Sequence, residues 1–249
     1  MKIDANTIIG RFGIVSPGVA NFDEFIAELD AHQIDKCLVS STLALLHDTA
    51  TGNELTWQWC KKSNGRLIAI PLLNPRWGIA EGEKQLKNGA KALKLSPAFH
   101  RFSLNDKWLF GELEEWLREQ RKPLFIDTGF ACAADMYKTT SFAQLAPFCE
   151  RYREAPIIIL GLSGIETEGM TNFLKANPHV YLESSYLYVA GYIKKLVDAG
   201  LEKQLIAGSG YGINAISAGW SVVEYAQITA AAKRKIIGEN IATIILKGE

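Results

Sequence analysis

Three ionisable side chains stand where charge is expensive, in or near the ends of apolar runs. Lys94 lies within Ala92–Leu95, Asp127 near the end of Pro123–Thr128 and Glu183 near the end of Val180–Ser184. A carboxylate in such surroundings must be paired, hydrogen-bonded or protonated. Asp127 is therefore either a general acid or base or a structural acid satisfied by Lys94 or a backbone amide. Lys94 alternates with apolar neighbours, which predicts a side chain turned inward. A buried lysine can hold an anionic substrate or serve as base or nucleophile; a salt-bridged core role is the plainer alternative. Glu183, followed by Ser184 and Ser185, poses the same choice.

Uncharged polar groups and one histidine extend the set. Asn6, Asn74 and Ser209 each follow or end an apolar run. Of the four histidines, His32 and His179 fall before strand-like runs, whereas His47 and His100 follow them. His100 is preferred because Phe99-His-Arg101 comes directly after the Lys94 run. The expected catalytic residues are thus Asp127 and Lys94, with Asn6, Asn74, His100, Glu183 and Ser209 as substrate contacts. Gly208-Ser-Gly-Tyr-Gly212 is not a dinucleotide fingerprint, since the sixth motif position is Ile213 and the segment lies late in the chain. Its backbone amides suit a phosphate or carboxylate; alternatively the glycines only make a tight turn.

The elements that must position these groups are short apolar runs alternating with longer amphipathic stretches. The expected strands are 2–9, 36–41, 67–73, 92–95, 123–128, 156–162, 180–184 and 204–207. Several are apolar at nearly every position, as in strands buried on both faces of a parallel sheet. Eight such strands close a (β/α)8 TIM barrel, whose chemistry sits at the strand C-termini; an open doubly wound sheet usually has fewer. Asn21 with Glu24 reads as a reciprocal helix cap, and Phe22, Phe25, Ile26 and Leu29 as an apolar stripe. Trp108, Leu113, Trp116 and Leu117 read as a second stripe, and Gly200 as a helix stop.

Composition sets the outer bounds. The 249 residues suit one barrel domain, taken as residues 1–249. Lys plus Arg equals Asp plus Glu at 27 each, so net charge is zero, which argues against nucleic acid as a general partner. Cys37, Cys60, Cys132 and Cys149 form no Cys-x-x-Cys pair; a reduced set, a cytoplasmic location and no membrane partner are expected. Trp57, Trp59, Trp77 and Trp108 point to helix packing or a subunit interface, leaving a homo-oligomer open.

Taken in order, several segments resemble the amidohydrolase-related family of metal-dependent hydrolases and decarboxylases. Ile3-Asp-Ala-Asn-Thr-Ile8 is similar to that family's Asp-Ala-His-x-His opening, and Leu72-Leu-Asn-Pro75 to its Val-Asn-Pro element. Gly89-Ala-Lys-Ala-Leu-Lys-Leu-Ser-Pro97 resembles the fourth-strand segment ending Lys-Leu-His-Pro. Pro123–Gly129, Gly161-Leu-Ser-Gly164, Ala207–Tyr211 and Lys235–Asn240 continue the series. The resemblance implies a metal held by histidines and an aspartate, but this sequence has Asn6, Ile8, Asp127, Leu162 and Gly210 at those places. No metal and no other cofactor is therefore expected. Two functions remain: a metal-independent hydrolase or lyase acting on a small carboxylated compound, or a non-catalytic barrel binding a small molecule or protein.

Overall fold

The computed structural model describes residues 1–13, 18–129, 140–162 and 169–246. Strands are β1 (Ile3–Ile9), β2 (Lys36–Ser41), β3 (Leu67–Ala69), β4 (Leu72–Leu73), β5 (Leu93–Leu95), β6 (Leu124–Asp127), β7 (Ile157–Leu160), β8 (Val180–Glu183) and β9 (Leu205–Ile206). All pair in parallel, in the orders β1-β2-β3 and β4-β5-β6-β7-β8-β9.

These two sheets are arcs of one barrel. The single run expected over 67–73 is split at Ile70-Pro71 into β3 and β4. Proline has no N–H to give a ladder, but the chain stays in the wall: Ile70 N donates to Val39 O and Pro71 O accepts from Lys94 N. The last strand returns to the first through Ala5 N to Ala207 O, Gly210 N to Asn6 O and Ile8 N to Tyr211 O. The eight-staved TIM barrel expected from the sequence is the observed fold.

Side-chain alternation separates two cores. Residues of one parity, among them Val39, Leu93, Leu95, Ile126 and Ile159, pack outward against the helices. Those of the other parity fill the interior: Ile3, Ala5, Leu38, Ile70, Ala92, Phe125, Ile158, Leu160 and Ile206, with Ile241 and Ile245 of the last helix below them. Each fully buried Ile or Leu contributes about 2 kcal/mol, so this apolar floor is a substantial part of what holds the barrel together. One step further along the same parity stand Ser40, Lys94, Asp127 and Glu183, two residues beyond Leu38, Ala92, Phe125 and Tyr181 respectively. The alternation that fills the floor thus places polar groups directly above it.

The helices depart from expectation in two details. Asn21 caps helix Phe22–Ala31 by accepting from Asp23 N and Glu24 N, but among the described residues no bond from the Glu24 side chain completes a reciprocal cap. In helix Lys107–Gln120 the buried face runs through Phe110, Leu113, Trp116 and Leu117, whereas Trp108 is 84% exposed. Trp108 lies at the first turn, on the far side from Phe110, so the second stripe begins two residues later than expected. Gly200 takes φ +82° after helix Tyr192–Asp198 and ends it as predicted. Cys132, Ser163 and Gly164 lie outside the described residues.

Candidate active site at the strand C-termini

Lys94 and Asp127 meet. Lys94 Nζ lies 3.3 Å from Asp127 Oδ2, with the two side chains only 3% and 5% exposed. Lys94 sits opposite Phe125 in the β5–β6 register, so its stem climbs past that residue to reach Asp127. Nζ also donates to Ser40 Oγ at 3.3 Å, and Asp127 Oδ1 accepts from Gly129 N at 2.9 Å. Among the described residues each charge therefore has one ionic partner and one neutral one, the minimum that makes a buried pair tolerable.

Across the barrel, Asn6 and Glu183 form a second cluster. Asn6 Nδ2 donates to Glu183 Oε2 at 2.9 Å and to Ser185 Oγ at 3.2 Å. Glu183 Oε1 accepts from Ser185 N at 2.5 Å, and its Oε2 from Ser185 Oγ at 2.8 Å. Burial is the main influence on this carboxyl; together with the nearby Asp4 charge it outweighs the bonds from Ser185 and Asn6 and pushes the pKa from 4.5 up to about 7. Gly208 is required beside it, since a Cβ there would stand 2.4 Å from Glu183 Oε1 and 2.9 Å from Asn6 Cβ.

Asp4 organises the approach to this cluster. It is fully buried; Oδ1 accepts from Asn6 N and Ser209 N, and Oδ2 from Trp220 Nε1, all at 3.0–3.1 Å. Burial holds its carboxyl above the usual range despite these bonds. The β1–β2 register slips between Asp4 and Thr7, a bulge of the kind that re-aims side chains beside functional sites. As a result three consecutive residues, Ala5, Asn6 and Thr7, all border one small void, together with Ser40, Lys94, Phe125 and Leu160. Its volume is about 10 Å³, room for roughly one water. Ser96, two residues beyond Lys94, has a buried hydroxyl with no partner among the described residues.

The other expected contacts are placed differently. Asn74 accepts from Arg76 N and so caps the turn Pro75–Trp77. Ser209 Oγ accepts from Tyr211 N, making the glycine-rich segment a self-bonded turn. His100 is buried, its Nε2 3.2 Å from Ala44 O, and burial depresses its pKa, keeping the ring neutral. None of these three lines the void. Ser40 and Ser185 stand at strand tips in the sequence but, like Asp4, were not among the expected site residues. The signal for Ser40 was available, because it stands two residues beyond inward-facing Leu38; Asp4 carried no such signal, because the bulge that turns β1 is not legible in Ile3–Ile9.

Comparison places this barrel among known enzymes by fold. No family model and no curated protein sequence matches the chain. Solved structures do. A dihydroxybenzoic acid decarboxylase from Polaromonas sp. JS666, with bound manganese and the inhibitor 2-nitroresorcinol, superposes with TM-score 0.78 at 12% identity, over 100% of this chain and 97% of that one. An uncharacterised TIM-barrel protein from Bordetella bronchiseptica gives 0.76 at 12% identity over 98% of each chain. A 2-pyrone-4,6-dicarboxylic acid hydrolase assigned as putative, from Pseudomonas putida, gives 0.71 at 14%, over 100% and 98%. Two of these three neighbours carry the names, decarboxylase and hydrolase, of the two enzyme kinds that the sequence resemblance gives.

The side chains at the positions where the family resemblance expects metal ligands are engaged otherwise in this chain. Asn6 Nδ2 faces the Glu183 carboxyl as a donor, Ile8 packs in an apolar cluster with Phe12 and Leu72, and Leu162 is fully buried among hydrophobic side chains. Asp127 already faces an ammonium at 3.3 Å. Among the described residues no three His, Cys, Asp or Glu side chains converge as a metal site requires. The fold is shared, and the chain is a TIM barrel built like these decarboxylases and hydrolases.

Proposed function

We propose that this chain is an amidohydrolase-like barrel enzyme that works without a divalent metal, as a hydrolase or lyase on a small carboxylated compound. One observation carries the reading: Lys94 and Asn6 border the same void, the first paired with Asp127 and the second bonded to a carboxyl that titrates near 7. The site therefore combines a fixed cation with a group able both to give and to take a proton at neutral pH. Lys94 has three N–H donors; Asp127 and Ser40 take two among the described residues, which leaves one for a substrate carboxylate. Asp127 orients Lys94 and shares its charge, Glu183 handles the proton, and Asn6 holds Glu183. The unpartnered Ser96 hydroxyl two residues past Lys94 supports an occupant above the floor, since a buried polar atom left alone is costly. The names of the structural neighbours, a dihydroxybenzoic acid decarboxylase and a 2-pyrone-4,6-dicarboxylic acid hydrolase, support the carboxylated substrate class.

A second reading, a non-catalytic protein-interaction barrel, is favoured by the size of the void, about 10 Å³, and by exposed aromatics at Tyr188 and Tyr225. A thermal-shift screen of small mono- and dicarboxylic acids on chelator-treated protein separates the two. The enzyme reading expects selected acids to raise Tm in the wild type and not in Lys94→Met; no stabilisation by any acid favours the second.

A further inference from the structure

We infer that Lys94 forms a Schiff base with small oxo compounds, and with 2-oxo acids where the reading above holds, on which this narrower substrate class rests. Lys94 is the one buried lysine among the described residues. As a simple anion receptor it is half spent, because Asp127 already neutralises it at 3.3 Å. For amine chemistry the same neighbours are an asset. A nucleophilic lysine needs a base to take its proton, an acid to expel water from the carbinolamine, and space beside Nζ for that water. Asp127 can serve as both, Ser40 Oγ at 3.3 Å can hold the intermediate's hydroxyl, and the void against Lys94 has the volume of about one water. Passing the ammonium proton to Asp127 leaves a neutral amine beside a neutral acid, so no net charge is created on the apolar floor of Ala92, Phe125 and Leu160.

The step balances. The Lys94 nitrogen lone pair attacks the carbonyl carbon and the C=O π pair goes to oxygen. Two protons in all leave nitrogen; Asp127 relays them to that oxygen, which departs as water when the C–O bond breaks. The product is a protonated imine on Lys94 with Asp127 ionised beside it, the same net charge as at the start. The imine then serves as an electron sink for breaking a bond at the adjacent carbon, the lyase branch of the reading above.

The test is reductive trapping on the intact chain. Protein is incubated with pyruvate, or separately with acetaldehyde, in cyanoborohydride, and every lysine is quantified by peptide mass mapping. The expected result is carboxyethyl-lysine at Lys94 at least tenfold above exposed Lys62 and Lys194, which are 58% and 46% exposed. Ethyl-lysine at Lys94 without carboxyethyl-lysine would keep the imine and remove the 2-oxo acid class. Labelling of Lys94 no higher than the exposed lysines with either probe overturns the inference, while carboxylic acids that still raise Tm through Lys94 would leave the broader reading standing. Asp127→Asn, checked for folding by circular dichroism, should slow trapping at Lys94 at least tenfold without changing labelling of Lys62; unchanged trapping in a folded variant removes Asp127 from the step. The wild-type map decides the matter even if that variant does not fold.

Discussion

Replacing Glu183 by Gln should make the protein's stability less sensitive to pH, by an amount the structure sets. The carboxyl is completely buried and its pKa stands at about 7 rather than 4.5. The folded state therefore binds a proton that the unfolded state releases across that interval, and stability from this group is full below about 4.5 and lost as pH rises through 7. At about 1.4 kcal/mol per pKa unit, the whole loss is about 3 kcal/mol. Asp4 is raised in the same direction, so the wild type alone would report both acids; the difference between wild type and Glu183→Gln isolates the one. Gln keeps the volume, and the Asn6 amide can turn to accept from it. Urea unfolding of both proteins from about pH 5 to about pH 8 should show wild type losing roughly 2–3 kcal/mol relative to the variant. An m value unchanged between the two would confirm that the native state is being compared like for like. A difference that stays flat over this range would mean that Glu183 ionises as an ordinary acid, and the proton-handling role assigned to it would fall.

Other perturbations follow from the same geometry. Lys94→Met and Asp127→Asn each leave one charge buried without its partner, and each should cost about 3–5 kcal/mol in unfolding free energy. The double variant should cost less than the sum, a coupling that a thermodynamic cycle reads directly; strict additivity would mean that the 3.3 Å pair contributes nothing. Gly208→Ala places a methyl 2.4 Å from Glu183 Oε1, so it should destabilise by about 1–3 kcal/mol and move the Glu183 titration in a carboxyl-resolved infrared or NMR experiment. Trp220→Phe removes the indole donor from fully buried Asp4, with an expected loss of about 1–3 kcal/mol, larger at neutral pH than at pH about 4; equal losses at both would show Asp4 to be neutral throughout.

The barrel was legible because period-two alternation and long apolar runs survive in single residues: Pro156-Ile-Ile-Ile-Leu160 reads as a doubly buried strand and is one. The Lys94–Asp127 contact was legible for the same reason, since both residues keep the inward parity of Ala92 and Phe125. Asn6 with Glu183 was named as two members of one rim, but their direct bond depends on the slip in β1 between Asp4 and Thr7, which leaves no mark on residue type. Asn74 and Ser209 looked like rim contacts by position, yet backbone amides two residues further on claim their side chains. Short polar side chains at strand ends serve turns as readily as ligands, and sequence does not separate the two uses. Trp108 was counted into an apolar stripe whose buried face begins only at Phe110.

The central claim is that the rim of this barrel takes a small carboxylate through Lys94 with no divalent metal. Isothermal titration of the best acid from the thermal-shift screen, into protein stripped by chelator and into the same protein supplied with manganese, tests it most directly. The account predicts one site per chain, an unchanged Kd in the two preparations, and at least a tenfold weakening in Lys94→Met. Binding that appears only with manganese, at one ion per chain and lost in Asp127→Asn, would contradict it.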